Sequence, residues 1–350
     1  MWQDGLWQAM RFYGYPTKII SLLQALYQTS SSSVRVNGEL TDWFRTTVGV
    51  RQGCVISPQL FNILLEVVIT TALHGVDIGA NISGWLINNL RFADDIVLIA
   101  ESAKQLQTLV NKVQNAASNF GLKINISKTQ VQVISKQKQT LDINIDGHKL
   151  EQVQTFVYLG GAITETGTCE DDIKQRICKA LGAVQRLHTI WQSKDIRKDT
   201  KLQLYNTLIL SILLYGAETW TLKKADENRL LVFEMACLRK IMGVTRLDKI
   251  RNQKIRETLG HNRTVLDIIR DRRLKYFGHI IRMGNERFPK IALEGRTHGT
   301  RPRGRPSKKW TNCLRDDCSA RNVDRLTDAT HLASNRSAWQ DIVRQKPSHS

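Results

Sequence analysis

The hydrophobic period of this chain changes near residue 170, and that change limits the folds open to it. Before it, short helical and short alternating segments take turns. Ile19, Ile20, Leu22, Leu23 and Leu26 recur with helical spacing, whereas Val34, Val36, Phe44, Val48 and Val50 recur with period two. The first pattern lines one face of a helix and the second one face of a strand. Pro16 opens the first helix, which runs to about Gln28, and Asn37-Gly38 suits the positive φ angles of a tight hairpin turn. Ser57-Pro58 predicts a helix start with Ser57 as its N-cap, continued by Leu60 to Leu73. Leu90 to Ala100 predicts two short strands pinched at Asp94-Asp95. Leu106, Leu109, Val110, Val113 and Ala117 mark the next helix, which Gly121 ends. Strands are expected from Leu122 to about Ser135 and from Phe156 to Thr164. After Asp171 the spacing is helical, over about 171 to 191, 198 to 216, 224 to 243, 248 to 259 and 264 to 283, and Phe288 to Lys309 is rich in Gly, Pro and Arg. The fold class that follows is α+β: an antiparallel sheet with packed helices, then an all-helical region and a basic Gly/Pro/Arg-rich arm.

At 350 residues and 41% hydrophobic content the chain can fill two or three cores. Its formal charge of +19 points to a polyanionic partner, and the excess is uneven. Residues 1 to 100 hold six Lys/Arg against seven Asp/Glu, and residues 239 to 310 hold twenty-one against six. One half reads as a scaffold and the other as a grip, the plainer alternative being a solvated basic face. Six scattered cysteines with no secretory leader fit a reducing, intracellular compartment rather than a disulfide framework. Cys313 and Cys318 with His331 match no common zinc-finger spacing. The most apolar stretch, Leu204 to Ala217, is too short to span a bilayer and reads as a buried helix, so no membrane partner is expected.

Two adjacent aspartates at the tip of an apolar hairpin repel each other unless a cation offsets them. A divalent metal would do so, and nucleotidyl transfer by two Mg²⁺ ions uses such oxygen ligands on a strand edge. Asp is also a favoured turn residue, and the tetrapeptide by itself is more often a solvated turn.

The surrounding blocks carry more. Gly49, Arg51, Gln52, Gly53, Ser57 and Pro58, then Phe92-Ala93-Asp94-Asp95, then Gly121 to Asn125 with Lys128-Thr129, then Phe156, Tyr158, Leu159 and Gly160-Gly161 stand in an order that resembles the reverse transcriptase of non-LTR (LINE-type) retrotransposons. Leu214 to Trp220, Leu238 to Gly243 and Gly278-His279 resemble the thumb and post-thumb region of the same elements. The resemblance implies an RNA-directed DNA polymerase working by two-metal nucleotidyl transfer. It would use an RNA template, a DNA primer or target and deoxynucleoside triphosphates, and act in a ribonucleoprotein of nucleus and cytoplasm. By resemblance Asp94 and Asp95 are catalytic metal ligands, and Arg51, Gln52, Gly53, Ser57 and Phe92 border nucleotide and template. Lys128 would protonate the leaving pyrophosphate, a surface lysine being the alternative, and Tyr158, Leu159, Gly160 and Gly161 would hold the primer strand, an ordinary hairpin with a Gly pair being the alternative. Tyr276 and Phe277 beside Lys275 suit base stacking or a core equally. Arg301, Arg303, Gly304 and Arg305 between prolines, with Lys308 and Lys309, resemble an AT-hook core; a basic linker without sequence preference is the alternative.

On this reading residues 1–165 are a reverse transcriptase palm truncated at its N-terminus, 166–285 a helical thumb and post-thumb region, and 286–350 a basic C-terminal arm and tail. The family's first catalytic Asp lies just before a segment like Asp4-Gly5-Leu6-Trp7, and Asp4 is by position a poor substitute. The chain as written is therefore expected not to polymerise DNA unless it is part of a longer product. The alternative function is a non-catalytic nucleic-acid-binding remnant that uses the basic C-terminal half.

Overall fold

Pro16, with φ −56° and ψ 134°, turns the chain out of the first helix and into the second. The computed structural model describes residues 1–135, 138–295 and 307–345. These form two compact units, one of residues 1–131 with 139–153, the other of 132–135 and 138 with 154–295 and 307–345.

The first unit is mixed. Helices α1 (Gln3–Phe12), α2 (Thr17–Gln28), α3 (Ser57–Leu73) and α4 (Ala103–Asn119) alternate with β1 (Ser31–Ser32), β2 (Arg35–Val36), β3 (Glu39–Leu40), β4 (Phe44–Arg45), β5 (Ala80–Ile82), β6 (Trp85–Ile87), β7 (Asn89–Phe92) and β8 (Asp95–Leu98). β9 (Gln130–Val131), β10 (Asn144–Ile145), β11 (His148–Lys149) and β12 (Glu151–Gln152) complete it. One continuous antiparallel sheet is the sequence expectation, and the described strands instead pair two by two. β1 pairs β4, the hairpins β2–β3, β5–β6, β7–β8 and β10–β11 are antiparallel, and β9 runs parallel to β12. Strands of two to four residues offer few ladder bonds, so the ribbons depend on the helices beneath them. Leu6, Met10, Ile20, Leu60 and Leu64 join α1 to α3. Leu65, Val68, Ile69, Val113 and Ala117 join α3 to α4, with Ile96 and Leu98 of β8 against them.

Two local expectations change. Ser57 does not cap α3; it is buried in the first turn, where its Oγ lies 3.3 Å from Tyr27 Oη. Instead of a strand from Leu122 to Ser135, a 3-10 turn spans Ile126–Lys128, because Asn125 Oδ1 accepts from the Lys128 N–H at 3.3 Å and its carbonyl from the Thr129 hydroxyl at 2.8 Å. An Asx side chain that supplies such bonds competes with the strand ladder.

The second unit opens with the hairpin β13 (Thr155–Tyr158) and β14 (Gly161–Thr164) and is otherwise helical. α5 (Glu170–Arg186), α6 (His188–Gln192), α7 (Lys198–Leu204), a π turn (Tyr205–Ile209), α8 (Leu210–Leu213), α9 (Lys224–Met242), α10 (Asn252–Leu259) and α11 (Val265–Ile281) share a core that includes Ile173, Leu213, Trp220, Leu230, Leu238 and Ile269. By contact this hairpin groups with the helices that follow it.

Beyond α12 (Phe288–Glu294), the described part of the stretch expected as arm and tail is folded. α13 (Trp310–Ser319), α14 (Leu326–Ser334) and α15 (Arg336–Arg344) pack on α11 through Leu314, Ala329, Ala333, Trp339 and Val343. Gly278 makes this possible: a Cβ there would overlap the Trp339 indole, whose Nε1–H donates to the Leu274 carbonyl at 2.7 Å. No helix among the described residues is long and apolar enough to cross a membrane.

Two measurements check this packing. Gly278→Ala should lower unfolding stability by about 2–3 kcal/mol through overpacking, whereas Gly182→Ala, inside α5 with open space around it, should raise it by about 0.5–1 kcal/mol. Burial pushes the Cys237 and Cys318 thiols up to about 12. They should resist alkylation near pH 8 until the protein unfolds, while exposed Cys178 labels in the native state.

Candidate active site

Among the described residues five hairpins turn through two residues, and four of them put a left-handed glycine second: Asn37-Gly38, Ser83-Gly84, Asp146-Gly147 and Leu159-Gly160. The fifth is Ala93-Asp94 between Phe92 and Asp95, with Ala93 at φ +50°. Each of the five turns places a non-glycine residue in the left-handed region at its first position, so this turn differs at its second, where Asp94 stands in place of a positive-φ glycine. Asp94 and Asp95 are both exposed at the tip. Below them Ile96 and Leu98 are fixed against the α3–α4 core, and Arg91 pairs with Glu66 of α3 at 2.7 Å. The carboxylates thus stand in water on a ribbon anchored at its base.

Two carboxylates are hard oxygen donors. Among the described residues no group of three or more His, Cys, Asp or Glu side chains gathers to hold a metal. Mg²⁺ is commonly held by one or two carboxylates together with substrate phosphates, so this donor set fits Mg²⁺ shared with a phosphate ligand and not an all-protein cage.

Of the residues expected near nucleotide and template, Gln52, Gly53 and Phe92 are exposed. Arg51 is engaged elsewhere: Nε donates to Ser30 Oγ at 3.2 Å, Nη2 to the Leu26 carbonyl at 3.2 Å, and the guanidinium lies 5.9 Å from the Tyr27 ring centroid. Ser57 meets the same tyrosine, so Arg51 and Ser57 secure their segment to the end of α2. Lys128 is exposed.

The Tyr158-Leu159-Gly160-Gly161 turn is built differently, inside the helical unit. Leu159 and Gly160 take φ +48° and +82°. The Tyr215 hydroxyl donates to the Leu159 carbonyl at 2.9 Å, and the Arg176 guanidinium donates to the Gly160 carbonyl. Arg176 also lies over the Tyr215 ring, 4.4 Å from its centroid. Behind the turn, buried Asp172 accepts the Ala162 N–H on Oδ1 at 3.0 Å and the Trp220 indole N–H on Oδ2 at 2.7 Å, with Arg176 Nε 3.9 Å from Oδ1. Sequence reasoning placed Tyr215 and Trp220 in a block of their own and missed Asp172 and Arg176. Their i,i+4 spacing in the first turns of α5 was the available signal, but it does not say what they face.

Much of the basic excess is also structural. Arg256 pairs with fully buried Glu234 at 2.5 Å, and the same carboxylate accepts the Val265 N–H at 2.9 Å. Arg273 pairs with Asp317 at 2.5 Å and Arg321 with Asp271 at 2.5 Å. Burial raises the Asp317 carboxyl above its usual range despite the arginines beside it. Lys308 pairs with Asp316 at 3.3 Å, and the Lys309 N–H is capped by Asn312 at 2.8 Å. Arg301, Arg303, Gly304 and Arg305 lie outside the described residues. Phe277 is core, edge-on to Trp339, and Tyr276 lies edge-on to Trp310 at 6.3 Å, so neither is a free stacking platform. Arg246, Lys249, Arg251 and Lys254 are exposed.

Residues 1–163 match the family of reverse transcriptases (RNA-dependent DNA polymerases). A transposon-derived protein of Caenorhabditis elegans is 29% identical over 282 residues, which is 77% of this chain and 99% of that protein. The retrovirus-related Pol polyprotein from the type-2 retrotransposable element R2DM of Drosophila melanogaster is 30% identical over 240 residues, 63% of this chain and 22% of the polyprotein. The RNA-directed DNA polymerase from the mobile element jockey of the same fly is 22% identical over 254 residues, 69% of this chain and 27% of that protein. The chain thus spans nearly the whole of the nematode protein and about a quarter of each insect protein.

Asp172→Asn tests the core of the site. An amide in place of the carboxylate offers one acceptor and faces a donor with its NH₂ group, so the change should cost about 2–3 kcal/mol in denaturant unfolding. Asp171→Asn beside it breaks an exposed pair with Lys174 and should change stability by less than about 0.5 kcal/mol.

Proposed function

We propose that this chain, whose residues 1–163 match the reverse transcriptase family and whose relatives include retrotransposon proteins, is the RNA-directed DNA polymerase portion of a non-LTR retrotransposon. Its substrates would be an RNA template, a DNA primer end and deoxynucleoside triphosphates. The Asp94-Asp95 tip carries this reading: two solvent-facing carboxylates on an anchored ribbon, at a turn that departs from the glycine used by the other four.

Asp94 and Asp95 would hold Mg²⁺ together with the triphosphate. When bound, the ion neutralises phosphate charge and makes the primer hydroxyl a better nucleophile. Gln52 and Gly53 border the incoming nucleotide from an exposed loop that Arg51 ties to α2. Lys128, on a short turn capped by Asn125, donates toward the leaving pyrophosphate, where negative charge develops. The Tyr158 to Gly161 turn bears on the primer strand. By the same reading residues 1–165 are the palm portion, and residues 166–285 are thumb and post-thumb. A two-ion site needs a further carboxylate to anchor both metals. Among the described residues none joins the pair, so we propose that a polypeptide of these 350 residues alone does not turn over.

The second reading, nucleic-acid binding without catalysis, is favoured by the exposed Arg246, Lys249, Arg251 and Lys254. It is favoured also by an open cleft of about 420 Å³ lined by residues that include Asn206, Asn262, Arg263 and Arg272.

Two assays separate these readings. In primer extension on an RNA template with Mg²⁺, the purified 350-residue polypeptide should add no nucleotide above background. Strong incorporation that Asp94→Ala abolishes would overturn the proposed inactivity and support the polymerase. In binding to an RNA–DNA hybrid at several salt concentrations, Lys249→Ala and Lys254→Ala should each lower the salt slope by about one if these cations meet phosphate. Unchanged slopes would remove the second reading.

A further inference from the structure

The hairpin that the proposed function assigns to the primer strand is held from outside itself, by more than a turn of this kind requires. A two-residue turn with glycine in second place is favoured by its own backbone geometry; at Asp146-Gly147, for comparison, Gln114 donates to the Asp146 carboxylate and the His148 ring lies against the Asp146 carbonyl at 3.0 Å. At Leu159-Gly160 both turn carbonyls are instead captured by side chains from different parts of the helical unit, Tyr215 after α8 and Arg176 on α5. Arg176 is buried, its Nε has no hydrogen-bond partner, and the nearest carboxylate, Asp172, is 3.9 Å away. Burying a guanidinium against a backbone carbonyl and an aromatic face carries a desolvation cost that a mere reversal of direction does not call for. Gly160 leaves room for this arrangement, since a Cβ there would lie 3.4 Å from both Arg176 Nη2 and Tyr215 Cε1. The backbone N–H of Ala162, two residues on, is fixed by Asp172, so the ribbon is clamped on both sides of its tip. The tip itself stays open: Leu159 is 38% exposed and Tyr215 52%.

We propose that Arg176 and Tyr215 are positioning residues that set the aim of the Leu159-Gly160 turn against the 3′ end of a DNA primer paired to RNA. Asp172 and Trp220 hold the base of the same clamp. The inference rests on the reading of this turn as the primer-strand contact. It adds that the aim of the turn is set by the helical unit, through two side chains. A positional error of about 1 Å at a reacting end is enough to lose most of its rate, which gives a stiff clamp its use.

The test compares two ligands of the full chain by fluorescence anisotropy at one salt concentration. One is an RNA–DNA hybrid with a recessed DNA 3′ end; the other is the same hybrid sealed by loops at both ends. The wild-type chain should prefer the open end. Tyr215→Phe keeps the ring over the guanidinium and removes the bond to Leu159, and Arg176→Lys keeps the charge and removes the planar donor. Each should lower the preference about 3- to 10-fold, the worth of one hydrogen bond, while binding of the sealed hybrid stays as in wild type. A preference untouched by both variants, or a parallel loss on both ligands, overturns the clamp as a positioning device and leaves the polymerase reading standing. A wild-type chain with no preference for the open end removes the primer-strand role of the turn together with this inference.

Discussion

The buried carboxylate of Asp172 is the interaction on which the helical unit and its hairpin both depend. It sits in the first turn of α5, near the positive end of the helix, and takes one N–H from the hairpin and one from the Trp220 indole. A charge out of water is stable when hydrogen bonds replace its solvation, and here the replacements come from a strand and from the segment that follows a 3-10 turn. That geometry leaves Arg176, one turn further along α5, facing the turn carbonyls with the Tyr215 ring beneath it. Glu234 does the same work deeper in the unit, joining α9, α10 and the start of α11 through Arg256, His261 and the Val265 N–H. The unit therefore rests on an apolar core crossed by a few fully engaged acids.

Asp94 and Asp95 follow the opposite logic. They are exposed and receive no comparable set of donors, so water or a cation must solvate them. An exposed pair on a short ribbon leaves room for a phosphate-bearing ligand to share a metal, which a buried pair would forbid. Ile96 and Leu98 of the strand below the tip pack on the α3–α4 core. Rigid support and a solvated tip are what a metal-dependent transfer site requires of a protein.

The element pattern was legible where spacing alone decides it. α2, α3, α4, the β7–β8 hairpin and the succession of helices after residue 170 lie close to where periodicity puts them. Reading was weaker where a side chain competes with the backbone. Asn125 replaces a strand with a turn, and Ser57 gives up a cap to reach Tyr27, because both can bond to several partners at similar energy and tertiary neighbours choose among them. Charge counting misled in a specific way. The run of lysines and arginines after residue 238 reads as a grip on phosphate, yet Arg256, Arg273 and Arg321 are internal struts whose acidic partners lie up to fifty residues away. Net charge records composition, and pairing depends on distance in space.

By itself the sequence determined the α+β class, the ordered blocks from Gly49 to Gly161 that resemble those of reverse transcriptases, and the aspartate pair at a hairpin tip. These are properties of residues near one another in the chain, where periodicity and turn chemistry act. Tertiary structure alone decided that the Leu159-Gly160 turn answers to Arg176 and Tyr215, that Gly278 exists to admit Trp339, and that residues 310 to 344 fold back onto α11. Each of these joins positions distant along the chain. What brings them together is the burial of apolar surface, which is indifferent to sequence order, and the need of each buried polar group for whichever partner that burial places beside it.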